Sequence, residues 1–256
     1  MKHLKTPYIC IVFIVLGLVS CLTPLRSVYH VEMTPIPESD GYRVDPVDDA
    51  LVFSKEGLQI RVRYMTDELL RSEIPGSDNP YVVQEIDPTL EYRPMPFTVF
   101  QVTVVNPTFA KVRLDPEKTV LITDRGRRYK SYAINRVDAR GGLRNFETYF
   151  LVKGVQTGNT QKLYLERMGK VRETIYHRDS PVFKGNTYTG KIVFEPLPPE
   201  TKRVELVLDD FILSFGIHDV PTDLLTLRFP FSVKQGVLEP PSEANRDQKL
   251  KAGDHQ

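Results

Sequence analysis

Apolar residues recur at every second position through most of this chain, and that spacing constrains the fold more than any other feature. Leu58, Ile60, Val62 and Tyr64 alternate with Gln59, Arg61 and Arg63, the pattern of a strand with one buried face. Leu51-Val52-Phe53 lies just ahead, and Ser54-Lys55-Glu56-Gly57 suits a hairpin loop between the two. Residues 97–105 are almost continuously apolar and β-branched, which predicts a central strand covered on both faces and ended by Asn106-Pro107. Residues 119–123 and 128–133 flank Asp124-Arg125-Gly126-Arg127, a turn whose glycine tolerates positive φ. Further on, Tyr188, Ile192 and Phe194 share a face with Gly190, and Val204, Leu206 and Leu208 share another until Asp209-Asp210 breaks the alternation. Leu227, Phe229, Phe231 and Val233 point one way with Pro230 opposite. Proline cannot donate to a ladder, so this last strand is expected at an edge or with a bulge. The 20 prolines among 256 residues also favour short strands and loops over long helices.

One stretch departs from this period. Thr160, Tyr164, Met168, Val171 and Ile175 recur at three- and four-residue spacing, which predicts a helix near 160–177, weakened by Gly169. It reads as an insertion, about residues 135–184, between strands. The whole is an all-β chain, an antiparallel β-sandwich with a helical insertion.

A resemblance sharpens that reading. Val105-Asn106-Pro107, Leu114-Asp115-Pro116, Leu121 with Asp124, Gly126 and Tyr129, then Gly185 and Gly190 with Phe194 and Pro196 resemble the telokin-like, immunoglobulin-like domain found in many bacterial lipoproteins of unknown function. The likeness covers roughly residues 97–215 and rests on turn and core positions. It implies an immunoglobulin-like sandwich and carries no activity. The long segment from Asn135 to Lys184 departs from the pattern.

The N-terminus supplies the one position with a chemical assignment. Met1-Lys2-His3-Leu4-Lys5 is a basic start, and residues 8–19 are uncharged and apolar. A helix of that length spans about 18 Å, short of a hydrocarbon core of about 30 Å, so the segment reads as a signal peptide. Leu18-Val19-Ser20-Cys21 resembles the lipobox of bacterial lipoproteins. That resemblance implies diacylglyceryl attachment at Cys21, cleavage before it, and a membrane as partner through the lipid anchor. Leu22, where inner-membrane lipoproteins of enteric bacteria tend to have Asp, favours the outer membrane. Cys10 and Cys21 are the two cysteines, so no disulfide and no cysteine-based zinc site is expected downstream. The organisation expected is a signal peptide at 1–20, a Pro-containing tether at 21–48 with an N-terminal edge strand near 28–33 as the alternative, the sandwich at 49–235, and a disordered polar tail at 236–256.

The search for chemistry returns little. Net charge is +1, which gives no basic excess for nucleic acid. His177-Arg178-Asp179 follows the expected helix, where a histidine suits the C-terminal dipole. His218-Asp219, with Asp209, Asp210 and Asp223, matches no metal spacing. Asp48-Asp49 and Asp209-Asp210 are sequence neighbours that face opposite sides of a strand, unlike a glycosidase pair. Arg125, Arg127, Arg128 and Lys130 form a basic turn, read as a solvated hairpin tip with anionic headgroups or a wall polymer as the functional alternative. Tyr129, Tyr132, Tyr149 and Tyr164 are read as core or rim, with an interaction surface as the alternative. No cofactor motif and no catalytic set is found. The chain is expected to be a non-enzymatic cell-envelope lipoprotein that binds a protein or an envelope polymer. The alternatives are a subunit or assembly factor of an envelope complex, docking through 135–184, and a hydrolase with a site near His218.

Overall fold

The structure, a computed structural model, describes residues 27–38, 40–82, 92–93, 95–138, 144–152 and 158–238. The expected signal peptide, Cys21 and most of the expected tail lie outside the described residues. Two antiparallel sheets pack face to face. The first runs in the order β5 (Tyr92–Arg93), β1 (Ser27–Pro35), β13 (Pro221–Leu238), β12 (Arg203–Phe215), β8 (Val120–Thr123) and β9 (Arg128–Lys130). Within it, only the short β1–β5 pairing is parallel. The second runs β11 (Asn186–Phe194), β6 (Thr98–Asn106), β4 (Leu58–Tyr64), β3 (Leu51–Lys55) and β2 (Tyr42–Val44). A two-stranded piece, β7 (Lys111–Val112) with β10 (Val182–Phe183), sits at one end. The mainly-β antiparallel sandwich expected from the two-residue period is therefore the fold observed.

The alternation explains the packing between the sheets. Leu58, Ile60, Val62 and Tyr64 of β4, Phe100, Val102 and Val104 of β6, and Ile192 and Phe194 of β11 meet Val204, Leu206 and Leu208 of β12 and Leu227, Phe229 and Phe231 of β13 in one continuous core. Asn106 closes the far end of β6. Its side-chain amide donates to the carbonyls of Phe109 and Val182, both at 2.8 Å, and its carbonyl oxygen accepts from the Phe109 N–H at 2.9 Å. A fully buried asparagine so satisfied fixes the loop that follows Val105-Asn106-Pro107.

The second sheet is also covered on its outer face. Three helices lie there: α1 (Asp67–Glu73), α2 (Phe146–Val152) and α3 (Gly158–Thr174). Leu70, Phe146, Phe150, Met168 and Val171 from these helices, with Ile175 just beyond α3, pack on Phe97, Val99 and Val193 in a second core. β6 is thus central and doubly covered at its start, as expected. Farther along, Thr103 and Thr189 share a hydrogen bond of 2.9 Å in solvent, so the helical layer covers only part of the sheet. The predicted helix near 160–177 is observed as α3. The α1 helix, capped by the Thr66 hydroxyl accepting from the Leu69 N–H, has no counterpart among the sequence expectations.

Three expectations change. Residues 27–35 form a strand, the alternative near 28–33 rather than the tether: β1 pairs with β13 from Val28↔Leu238 to Pro35↔Phe231 and, at its first two residues, with β5. Val31 and Met33 are buried there while His30, Glu32 and Thr34 face outward; of the prolines that suggested a tether, Pro24 precedes the strand and Pro35, Pro37 and Pro46 fall at its end or beyond. Gly236–Leu238 belong to the same ladder rather than to a disordered tail. Finally, β13 is an interior strand. Pro230 is accommodated because β1 leaves the sheet at that point, where the Pro230 carbonyl accepts from the Ile36 N–H at 2.9 Å. The β12–β13 register does not shift at Pro230; it shifts between Leu208 and Phe211, between Ile212 and Ser214, and between Ser214 and Phe215, the last leaving Thr222 of β13 as the extra residue, so Asp209-Asp210 interrupts a strand without ending it. Asp210 takes φ 51° there, and its carboxylate meets Lys118 at 2.5 Å.

Candidate functional site

The free edge of β11 is sealed by two short crossings. The Tyr132 N–H donates to the Val193 carbonyl and the Tyr176 N–H to the Lys191 carbonyl, both at 2.8 Å. At the second crossing Gly190 is required, because a β-carbon there would lie 2.5 Å from Tyr176 Cα and 2.7 Å from its nitrogen. Between the crossings, at the seam of the sandwich and the helical layer, opens a cleft of about 130 Å³. Its polar lining includes Glu117, Ser131, Asp138, His177 and Arg178.

The cleft sets one guanidinium, Arg178, beside three carboxylates, Glu117, Asp138 and Asp179. Arg178 bonds Glu117 at 2.9 Å and lies 3.8 Å from Asp179. Burial works against the Arg178 charge, but the carboxylates of Glu117 and Asp115 outweigh it and hold the guanidinium above its ordinary range. His177 Nε2 lies 2.6 Å from the Arg172 carbonyl. A carbonyl can only accept, so this nitrogen carries the proton and caps the end of α3. The Ser131 hydroxyl donates to the Pro116 carbonyl at 2.7 Å. Burial pushes the Tyr132 phenol up to about 12, with Arg144 opposing and Glu195 adding to it. Among the described residues lining the cleft, the one aliphatic hydroxyl, that of Ser131, is bonded to a backbone carbonyl rather than to a base.

A second depression, about 150 Å³ and mostly apolar, lies at the end of the sandwich where β1 begins. Tyr29 and Val31 of β1 face Tyr64, Met95, Phe97, Thr98 and Leu197 across it, with Pro196 and Pro199 at the rim. None of these side chains is charged. Burial raises the Tyr64 phenol above its ordinary range.

The remaining candidates are dispersed. His218 sits at the exposed tip of the β12–β13 hairpin with φ 60°, and Asp219 follows at φ 59°. Asp219 is bound by Lys111 at 2.6 Å, and Asp209 accepts from the Thr226 hydroxyl at 2.7 Å. Among the described residues no group of three or more His, Cys, Asp or Glu is placed to hold a metal ion. Asp48 serves structure, gripping Arg61 at 3.1 Å beside Asp45 at 2.7 Å. The basic turn is exposed: Arg125 pairs with Glu200 at 3.0 Å, and Arg127 lies over the Tyr129 ring at 4.9 Å. Tyr129 belongs to the inner core and Tyr132 to the outer one, with Tyr149 and Tyr164 packed against the latter, so the four tyrosines do not form a surface. Sequence reasoning missed Lys191. It is 2% exposed, reaches Glu73, and lies 5.8 Å from the Tyr81 ring centre. A lysine on a half-buried strand gives no sequence signal that a helix will cover it.

No helix among the described residues is long and apolar enough to cross a membrane. No family model matches the chain, and no curated protein matches it. Among solved structures it is similar to a secreted protein of Mycobacterium tuberculosis, MPT63, with 15% identity over 73% of this chain and 92% of that one and a TM-score of 0.26.

Proposed function

We propose that this chain is a non-catalytic cell-envelope lipoprotein, anchored through acyl groups on Cys21, whose sandwich binds a protein or an envelope polymer. The observation that carries the reading is Leu18-Val19-Ser20-Cys21 after a basic start and a short apolar run. Leu22 after the cysteine favours the outer membrane. The seam cleft supports binding over catalysis, since His177, Ser131 and Arg178 are each engaged with a neighbour. The hydrolase alternative near His218 gains nothing from an exposed hairpin tip whose Asp219 is bound to Lys111. The test is Cys21→Ala. Fatty-acid labelling should disappear and unprocessed precursor or unanchored protein should accumulate; continued labelling refutes the anchor.

One observation favours a second reading, a subunit or assembly factor that docks through the helical layer. Val137 and Val152 are 84% and 80% exposed there, and Leu165 is 57% exposed. Deleting 135–184 is not a clean test, because Phe146, Phe150, Met168 and Val171 cover the second sheet. Val137→Asp with Leu165→Glu leaves that core intact. Unchanged crosslinked partners in intact cells count against docking by this layer.

A further inference from the structure

We infer that the apolar notch lined by Tyr29, Val31, Met95, Phe97 and Leu197 faces the bilayer and takes up lipid acyl chain at the membrane surface. The inference rests on the anchor reading and gives it a geometry. β1 begins at Ser27, six residues after Cys21. Six residues reach about 20 Å at full extension. β13 alone, with 18 residues, runs about 55–60 Å at 3.3 Å per residue. An anchor so short beside a domain so long holds the β1 end of the sandwich against the membrane and directs the β12–β13 hairpin away from it.

The side chains at the anchored end fit that orientation. The notch is uncharged, and its volume of about 150 Å³ matches a cavity that holds a benzene-sized apolar group. That is room for a few methylenes of an acyl chain, each contributing about 0.8 kcal/mol when buried. Tyr29 is partly exposed beside it, and tyrosine is enriched where apolar chain meets headgroup. Gln235 bonds the carbonyls of Pro198 and Thr201 at 2.5 and 3.1 Å, which ties the rim loop to β13 and keeps the notch open. At the opposite end Lys111 and Asp219 hold the hairpin tip, well beyond the reach of the anchor.

The chain has no tryptophan, so one introduced residue gives an unambiguous reporter. Pro199→Trp places it at the notch rim, Met95→Trp provides a second position should the first perturb folding, and Ile217→Trp places it at the hairpin tip. The full lipidated protein is reconstituted into equimolar phosphatidylethanolamine and phosphatidylglycerol vesicles whose acyl chains carry bromine, and Cys21 acylation is read by mass spectrometry. The expected result is loss of most of the emission for the notch reporters and none for Ile217→Trp. Acylated Cys21 with unquenched notch reporters, or with equal quenching at both ends, overturns the notch docking and leaves the anchor standing. Unmodified Cys21 overturns both.

Discussion

The second sheet is buried on two faces, and the two are built on different terms. Its inner face is aliphatic and aromatic, with Ile60, Val62, Val102, Val104 and Ile192 fully or almost fully buried against the first sheet. Its outer face meets loops and helices and carries polar anchors as well. Lys191 reaches Glu73. Asn79 donates to the carbonyls of Leu70 and Ile74, both at 2.8 Å. The Tyr81 and Thr174 hydroxyls lie 2.7 Å apart. Area burial alone holds the inner face and tolerates volume-conserving exchange. Directional bonds that must all be satisfied set the layout of the outer face. The inner face therefore supplies stability, and the outer face fixes which helix goes where.

Gly190 is where the two regions are stitched together, and Gly190→Ala should have the largest effect. Its β-carbon would meet backbone of Tyr176, which cannot yield as a side chain can. Displacing that crossing uncovers the edge of β11 and moves Tyr176 out of the inner core. A loss of about 3 kcal/mol or more is expected, measured by urea denaturation. A wild-type midpoint would mean that the crossing moves freely and the stitch is weak.

The Lys191–Glu73 ion pair, buried on the lysine side alone, tests the outer face by its asymmetry. Glu73→Ala leaves the Lys191 ammonium 2% exposed without its carboxylate. A cost of about 2–3 kcal/mol is expected, less than for a wholly buried pair because Glu73 is itself 38% exposed. Lys191→Met removes the charge, fills the same space and leaves Glu73 free to turn to solvent, so it should cost less than about 1 kcal/mol. Equal losses from the two variants would show that the pair contributes as packing rather than as charge.

Legibility in the sequence follows the same division. Leu58 to Tyr64, residues 97–105 and the Val204, Leu206, Leu208 series announced their strands because a period of two is written directly into the residues. The Asn106-Pro107 stop was equally plain, and its cause is the Asn106 side chain. β1 was half legible: residues 28–33 allowed a strand, but Pro24, Pro35 and Pro37 around them weighed toward a tether. Interior placement of β13 was hidden because Pro230 needs only a local gap in its neighbour, which no sequence rule shows. The seam cleft was the least visible part. It joins residues 116–117, 131–134 and 175–179, which only the folding of β11 and its two crossings brings together.

The phenols offer a pH test of the outer layer. Burial, the largest cause, pushes Tyr132 up to about 12 from an ordinary 10.0. The fold therefore favours the neutral phenol. That stability is complete below pH 10 and is lost as pH rises toward 12, when the unfolded chain has already released its proton. Tyr132→Phe should flatten the fall in stability across this window by up to about 1.4 kcal/mol per pH unit, read from urea midpoints at successive pH values. Tyr64 and Tyr176 of the inner core are also raised by burial, so the rest of the alkaline loss should persist. An unchanged slope would place the Tyr132 hydroxyl in effective contact with solvent.

The smallest effect decides whether the two regions are one cooperative unit. A β-carbon on Gly169, within α3, meets nothing within 4 Å. Gly169→Ala therefore adds helix propensity and narrows the unfolded ensemble without a steric cost, for a gain of up to about 1 kcal/mol. If the helical layer unfolds together with the sandwich, as the stitch at Gly190 and Tyr176 implies, this gain should raise the global midpoint. If the layer opens by itself, amide exchange in α3 should slow while the strands of the inner core and the global midpoint stay unchanged. The first result ties stability and layout together through the edge of β11. The second makes the helical layer a separately opening cover, and the second sheet a support with one permanent face and one removable one.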